Sequence, residues 1–192
     1  MKKLMILAVM MVATLTASAQ QKTGTWSIIP TAAINLSTIV GDNTNDASMK
    51  VGLAAGAEAM YQISPVVGIS GGLIYSMQGA SGKGDSKLNI DELNIPILAN
   101  FYVYPGLSLK AGLQPGFIVS AKAKEDKVET DIKDNCQAVD ISLPLGISYE
   151  ISNFVIGARY NLGLSKINKG NGSQRNSVIM FSLGYKIPLG GR

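Results

Sequence analysis

Residues 139–164, VDISLPLGISYEISNFVIGARYNLGL, alternate apolar and polar side chains on both sides of the dipeptide Ser152-Asn153. One face of the first arm carries only apolar or tyrosine side chains, namely Val139, Ile141, Leu143, Leu145, Ile147, Tyr149 and Ile151. The opposite face of this arm has no large hydrophobe, and the second arm repeats the alternation. A period of two is typical of a β-strand that separates two different media. The stretch therefore predicts a hairpin of two amphipathic strands.

The same period recurs along the chain, in predicted strands at residues 25–38, 49–63, 66–79, 89–104, 107–121, 139–151, 154–164 and 177–187. Tight turns at Ser64-Pro65, Pro105-Gly106 and Ser152-Asn153 alternate with long polar loops, of which residues 122–137 form the longest and most charged. Strands joined by turns that are alternately tight and long are typical of outer-membrane barrels. We therefore predict an all-β fold, an eight-stranded antiparallel up-and-down transmembrane β-barrel.

Three prolines lie inside predicted strands, at Pro96, Pro115 and Pro144. Proline has no backbone N–H and is disfavoured inside a sheet. We expect a bulge or another local distortion at each of the three positions.

The N-terminus has the features of an export signal. Lys2 and Lys3 precede an apolar run over residues 4–15, and Ala17-Ser18-Ala19 supplies the small residues of a cleavage site. The run is shorter than the roughly 20 residues that a membrane anchor needs. We predict a cleaved signal peptide at residues 1–19 and an outer-membrane barrel over residues 20–192.

The chain offers few groups for catalysis or metal binding. It has no histidine and a single cysteine, Cys136, and it lacks a phosphate-binding glycine loop. The acidic residues of the longest loop, Asp126, Glu129, Asp131 and Asp134, leave a carboxylate enzyme or a calcium site as alternatives, although such a run is more often a solvated loop. We predict no enzyme, no cofactor and no metal.

The formal net charge also limits the choice of partners. It is +4 for the whole chain and +2 without Lys2 and Lys3, which is too small to indicate nucleic-acid binding.

The two faces of each strand are expected to meet lipid and the barrel interior, the lumen. The apolar face is too bulky for a narrow lumen, so we place it against lipid, whereas a soluble barrel would bury it. The predicted polar network of the lumen comprises Glu58, Asn94, Asn100, Lys110, Gln114 and Arg159, with Asp140, Glu150 and Lys186 also directed inward. Buried charges are costly unless they are paired, so we expect Arg159 to pair with Glu58. Trp26, Tyr61, Tyr149 and Tyr185 are predicted to lie at the boundary between water and lipid.

Five segments of the predicted strands form a familiar set: Ile34-Asn35-Leu36-Ser37, Leu93-Asn94-Ile95-Pro96, Gly112-Leu113-Gln114-Pro115-Gly116-Phe117, Ala158-Arg159-Tyr160-Asn161-Leu162-Gly163-Leu164 and Ser182-Leu183-Gly184-Tyr185-Lys186. Together they resemble the PorT-like outer-membrane β-barrel domain family of porin-like proteins. The resemblance covers nearly all of the chain after the signal. It implies an eight-stranded barrel in a Gram-negative outer membrane, and some members are linked to protein secretion.

These observations favour a structural and surface-interaction barrel with a plugged polar lumen. Its partners would be outer-membrane lipids and, through the long loops, envelope or secretion proteins, and we expect a monomer that does not bind nucleic acid. Two alternatives stay open, a narrow porin-like channel for small solutes and an accessory component of a secretion system. An eight-stranded lumen is only wide enough for side chains to fill, which weighs against the channel.

Overall fold

The computed structural model describes residues 22–42, 44, 48–82, 86–125, 128–169 and 173–190. The predicted signal peptide and Asp126 lie outside these residues, so the boundary after residue 19 stays a prediction. No helix in the described part of the chain is long and apolar enough to cross a membrane.

The described residues form one antiparallel sheet. Its strands are β1 (Trp26–Gly41), β2 (Lys50–Ser64), β3 (Val67–Ser81), β4 (Lys87–Asn94), β5 (Ile97–Tyr104), β6 (Leu107–Glu125), β7 (Val128–Asp131), β8 (Val139–Ile151), β9 (Phe154–Gly163), β10 (Gln174–Tyr185) and β11 (Ile187–Gly190). Strand β1 pairs with β2 on one side and with β10 and β11 on the other, so the sheet closes on itself. Closure leaves no unpaired sheet edge in hydrocarbon, where each unpaired amide would cost several kcal/mol.

We call each strand position around the ring a wall. The ring has eight walls, because β4 and β5 form one wall, β10 and β11 form another, and β7 lies outside the ring. Strands β4 and β5 follow β3 in one register, with Ile74 opposite Asn94 and Gly71 opposite Ile97. Strands β10 and β11 share a register along β1 in the same way, with Thr31 opposite Gly184 and Ile28 opposite Ile187. The predicted eight-stranded barrel is confirmed.

The prolines behave differently from one another. Pro96 interrupts the wall between β4 and β5 as expected, and its carbonyl accepts the N–H of Gly72 at 3.0 Å. Pro115 and Pro144 stay inside β6 and β8. At Pro115 the pairing with β8 continues, so the distortion predicted there is wrong. At Pro144 the pairing of β8 with β6 is interrupted between Leu145 and Ser142, as expected, and then resumes in the same register. The bulge of this region lies instead at Asp91/Glu92.

The segment predicted as the longest loop is partly regular structure. Strand β6 continues to Glu125 and forms a hairpin with β7, which pairs with no other described strand, and a 3-10 helix follows at Lys133–Asn135. The hairpin is held by backbone pairing and by an ion pair between Lys122 Nζ and Glu129 Oε1 at 2.7 Å. The prediction of a loop over all of residues 122–137 is therefore wrong.

Side chains alternate between the outside and the lumen as predicted. In the hairpin of β8 and β9, Ile147 and Ile156 are 45% and 51% exposed, whereas Asp140 and Arg159 are 4% and 8% exposed. We call the end of the barrel with the tight turns the turn end, and the opposite end the loop end. In outer-membrane barrels the short turns face the periplasm.

Candidate functional site in the lumen

The lumen near the turn end contains an ion-pair cluster built from three walls. Arg159 Nη2 donates to Glu58 Oε1 at 3.0 Å, and Lys110 Nζ lies 4.0 Å from Glu58 Oε2. The predicted pairing of Arg159 with Glu58 is thus confirmed, across a chain separation of 101 residues. Glu58 is 5% exposed and Arg159 is 8% exposed, so water solvates both charges poorly. Each residue therefore stabilises the charge of the other.

A second ion pair lies closer to the turns. Lys186 Nζ contacts Glu150 Oε2 at 2.8 Å, and the Tyr102 hydroxyl donates to Glu150 Oε1 at 2.6 Å. Lys186 occupies the gap between β10 and β11, where its backbone N–H donates to the Asn153 carbonyl at 2.6 Å. The inward positions of Glu150 and Lys186 agree with the alternation of the sequence, whereas Tyr102 is an addition to the predicted network. Tyr102 lies two residues after Asn100 on the same strand, and this spacing is the sequence signal that directs it inward.

A small cavity of about 20 Å³ adjoins the Arg159, Glu58 and Lys110 side chains. Such a volume accommodates about one water molecule. The cavity is therefore too small to hold a solute.

The three predicted amide residues lie in the lumen but outside the ion-pair cluster. Asn94, Asn100 and Gln114 are at most 3% exposed. Asn100 Nδ2 donates to Ser70 Oγ at 3.1 Å, whereas Gln114 Oε1 has no hydrogen-bond partner among the described residues. The structure therefore separates the predicted network into a charged part and a neutral part.

Two further acidic residues lie in the loop-end half of the lumen. Glu92, 2% exposed, accepts hydrogen bonds from Gln78 Nε2 at 2.9 Å and Asn176 Nδ2 at 2.7 Å. Asp140, 4% exposed, accepts one from the Ser165 hydroxyl. Asp140 was among the side chains predicted to point inward, whereas Glu92 was not, although it lies two residues before Asn94 on the same strand.

The loop end is closed by a cluster of apolar side chains, which we call the apolar cap. Its buried members are Ile39, Ala80, Ile90, Ile118, Ala121, Cys136 and Ile167. Two of them come from loops, which are joined where Gln137 N–H donates to the Ile167 carbonyl at 2.6 Å. Burial within the cap raises the pKa of the Cys136 thiol. The polar lumen predicted from the sequence is therefore wrong at this end, because the folded loops cover inward-facing hydrophobes and keep them from water.

The four predicted interfacial aromatics all lie outside the ring at the turn end. Trp26 packs on Tyr61 with ring centroids 4.9 Å apart, and Tyr185 packs on Phe154 at 5.3 Å. Tyr149 is 43% exposed on the outer face of β8. Rings in such a position can contact both apolar lipid and water.

The acidic residues of the β6–β7 region do not converge. Glu129 pairs with Lys122, and an Asp131 carboxylate oxygen accepts the Lys133 N–H at 2.9 Å. No group of three or more acidic, cysteine or histidine side chains suited to a metal occurs in the described ranges.

Solved structures of outer-membrane barrels resemble this fold. The attachment invasion locus protein Ail of Yersinia pestis, solved with the heparin analogue sucrose octasulfate, matches 86% of this chain and 100% of its own, with a TM-score of 0.57 and 17% identity. Neisserial surface protein A matches 83% of this chain and 97% of its own, with a TM-score of 0.60 and 12% identity. No curated protein matches the sequence.

The sequence itself also matches a family model. Residues 18–169 match the model described as the outer membrane protein beta-barrel domain, which is most of the chain. The match agrees with the closed ring, the lipid-facing apolar surface and the two structural neighbours. The chain therefore belongs to the outer membrane protein β-barrel domain family, and its place is the bacterial outer membrane.

Proposed function

We propose that this protein is a structural and surface-interaction barrel whose lumen is plugged by its own side chains. The observation that carries the proposal is the apolar cap, in which Ile90 is 0% exposed and Ile167 is 3% exposed. A permeation path for polar solutes would have to cross this cap. The cap instead joins two loops to the barrel wall and gives the loop end a fixed shape.

The turn end supports the same proposal, because there ion pairs rather than apolar side chains fill the lumen. The Arg159–Glu58 pair links β9 to β2 across the lumen, and the Lys186–Glu150 pair lies between the Arg159–Glu58 pair and the turns. Such pairs fix the geometry of a narrow barrel without leaving an uncompensated charge. We assign these residues a structural role and no catalytic one.

The surface that would meet partners is the rim at the loop end. It comprises the β6–β7 hairpin, the 3-10 helix at Lys133–Asn135 and the loop that follows β9, where Lys169 N–H donates to the Asn135 carbonyl at 3.0 Å. Loops on a rigid scaffold are a common place for recognition. The structural neighbour Ail was solved with a sulfated sugar, and by analogy we propose that this rim binds envelope or secretion proteins or other surface ligands.

Three smaller assignments accompany this proposal. The rings of Trp26, Tyr61, Tyr149 and Tyr185 anchor the turn end at the periplasmic interface, residues 1–19 are removed on export, and the barrel works as a monomer. The PorT-like resemblance supports the accessory role in secretion as a variant of the same interaction function.

A solute-flux assay tests the plugged lumen. The barrel is reconstituted into liposomes, and swelling is followed in isotonic solutions of small sugars and amino acids beside liposomes that contain a wide-channel porin. We expect the rate of protein-free liposomes, since the cap and the ion pairs block the path. Swelling that decreases with solute size would contradict the proposal and support the narrow channel.

A further inference from the structure

Two acidic side chains in the loop-end half of the lumen, Glu92 and Asp140, have no basic partner among the residues that the structure describes. The ion pairs of the described residues join Glu58, Glu129 and Glu150 to lysine or arginine, and neither Glu92 nor Asp140 takes part in one. Both side chains are more than nine-tenths buried. A buried carboxylate without a counter-charge is costly unless it is protonated or binds a cation.

The polar atoms around these acids converge on the space above one glycine. Gly116 lies directly between Asn94 on one neighbouring strand and Asp140 on the other. A Cβ atom at Gly116 would lie 2.4 Å from Asn94 Oδ1 and 3.2 Å from Glu92 Oε2. Two oxygens that carry negative charge or partial negative charge thus point into one place that only a glycine leaves open.

Two buried amide side chains lie at the same place. Asn176, 2% exposed, donates Nδ2 to Glu92 Oε1 at 2.7 Å, and its Oδ1 has no partner among the described residues. Asn94, also 2% exposed, places its Oδ1 at the space above Gly116, beside Glu92 Oε2. Amide oxygen and nitrogen exchange places by a half-turn of the side chain, so the Asn176 oxygen can be directed at the carboxylates. A buried amide oxygen without a partner can accept an additional group, either a water molecule or a cation.

We propose that Glu92 and Asp140, with the amide oxygens of Asn94 and Asn176, bind one divalent cation of the Ca²⁺ type inside the loop-end half of the barrel. Carboxylate and amide oxygens are the ligands of hard cations, and two carboxylates balance the double charge. Two bidentate carboxylates and two amide oxygens supply six ligand atoms, within the range of roughly six to eight that Ca²⁺ takes.

The site is connected to the loop that follows β9. The Ser165 hydroxyl donates to Asp140 and accepts the N–H of Ile141 at 2.7 Å. Two residues later, Ile167 enters the apolar cap. Cation binding therefore stabilises the closed arrangement of the loop end as well as the two acids.

Calorimetric titration with Ca²⁺ tests the proposal on the folded barrel, purified from outer membranes in detergent and treated with a chelator. We expect saturable binding of one Ca²⁺ per chain and a rise in the thermal unfolding temperature when Ca²⁺ is added. Glu92→Gln and Asp140→Asn each remove one charge from the site and should weaken binding by about tenfold or more, since ligand charge sets Ca²⁺ affinity. Glu129→Gln, which changes an exposed carboxylate outside the lumen, is the matched control and should bind as the wild type does.

Gly116→Ala gives a second test that keeps both charges. Its methyl group would displace the Asn94 oxygen and should weaken Ca²⁺ binding in a barrel that still shows heat-modifiable mobility on gels. Absence of saturable binding to the wild type would overturn the proposal whether or not the carboxamide variants fold. Unchanged binding by Gly116→Ala, or by a folded variant that carries both carboxamide substitutions, would also overturn it. Absence of binding together with a higher unfolding temperature of Glu92→Gln would show that the two acids share a proton.

Discussion

Buried acidic side chains are stabilised differently at the two ends of the lumen. Near the turns, each described acid faces a base of the same chain, as Glu58 faces Arg159 and Glu150 faces Lys186. In the loop-end half, acids face neutral amides, and beyond them the lumen becomes apolar. The alternation of side chains is the same throughout the barrel. The difference between the ends therefore comes from which residues occupy the inward positions and from how the loops cover them.

The largest loss of unfolding free energy is expected from a substitution in the ion-pair cluster at the turn end. Arg159→Met leaves Glu58 with Lys110 at 4.0 Å as its remaining basic neighbour, and breaking a buried pair typically costs about 3–5 kcal/mol of unfolding free energy. Denaturant unfolding of the barrel in lipid vesicles, followed by the fluorescence of Trp26, measures the loss. The double substitution of Glu58→Gln with Arg159→Met should recover much of it, because no charge is then left unpaired. A single variant as stable as the wild type would mean that water reaches Glu58.

A cavity in the apolar cap is expected to lower the unfolding free energy nearly as much. Ile90→Ala removes part of a side chain that is 0% exposed and should lower the unfolding free energy by about 2–4 kcal/mol through lost burial and a cavity. Ile97→Ala is the matched control, since its side chain is 54% exposed on the outer face and lipid can fill the space. Equal losses in the same vesicle assay would show that the cap is no better packed than the lipid-facing surface.

A smaller effect should follow from the hydrogen bond of Tyr102. Tyr102→Phe removes the donor to Glu150 at 2.6 Å but leaves the contact of Glu150 with Lys186 at 2.8 Å. We expect a loss of about 1–2 kcal/mol in unfolding free energy, the usual range for a hydrogen bond to a charged acceptor. A loss as large as that of Arg159→Met would show that the two ion pairs act as one unit.

The smallest effect is expected outside the lumen. Lys122 holds the pKa of the Glu129 carboxyl below its usual value by a hydrogen bond and by its charge. Lys122→Ser should return this pKa toward the ordinary value while leaving the unfolding midpoint unchanged, because both side chains are in water. Carboxyl NMR titration and denaturant unfolding of the same variant measure the two quantities. A shifted midpoint would place the β6–β7 hairpin among the elements that stabilise the barrel.

The sequence predicted what depends on period and parity. The period of two placed the eight walls and the lipid-facing surface. Parity, together with distance from the tight turns, predicted that Arg159 meets Glu58. It would also have directed Glu92 and Tyr102 inward if every position of the walls had been followed.

The cap could not be predicted in this way. Cys136 and Ile167 reach it through the path of their loops, which no alternation encodes. In the sequence, Ile90 and Ile118 are apolar residues at inward positions of a mostly polar face. Their burial becomes clear only when the loops that cover them are seen. The prolines were a partial guide, because strand pairing is interrupted at Pro96 and Pro144 but continues through Pro115.

The central claim is that side chains close the lumen at both ends, and single-channel recording in planar bilayers tests it most directly. The wild-type barrel should give no steady conductance under conditions in which a wide-channel porin gives regular steps. A barrel with both Ile90→Gly and Arg159→Ser, which thins the cap and removes the main cation of the turn end, is the comparison most able to conduct. Steady ohmic conductance of the wild-type protein would contradict the account.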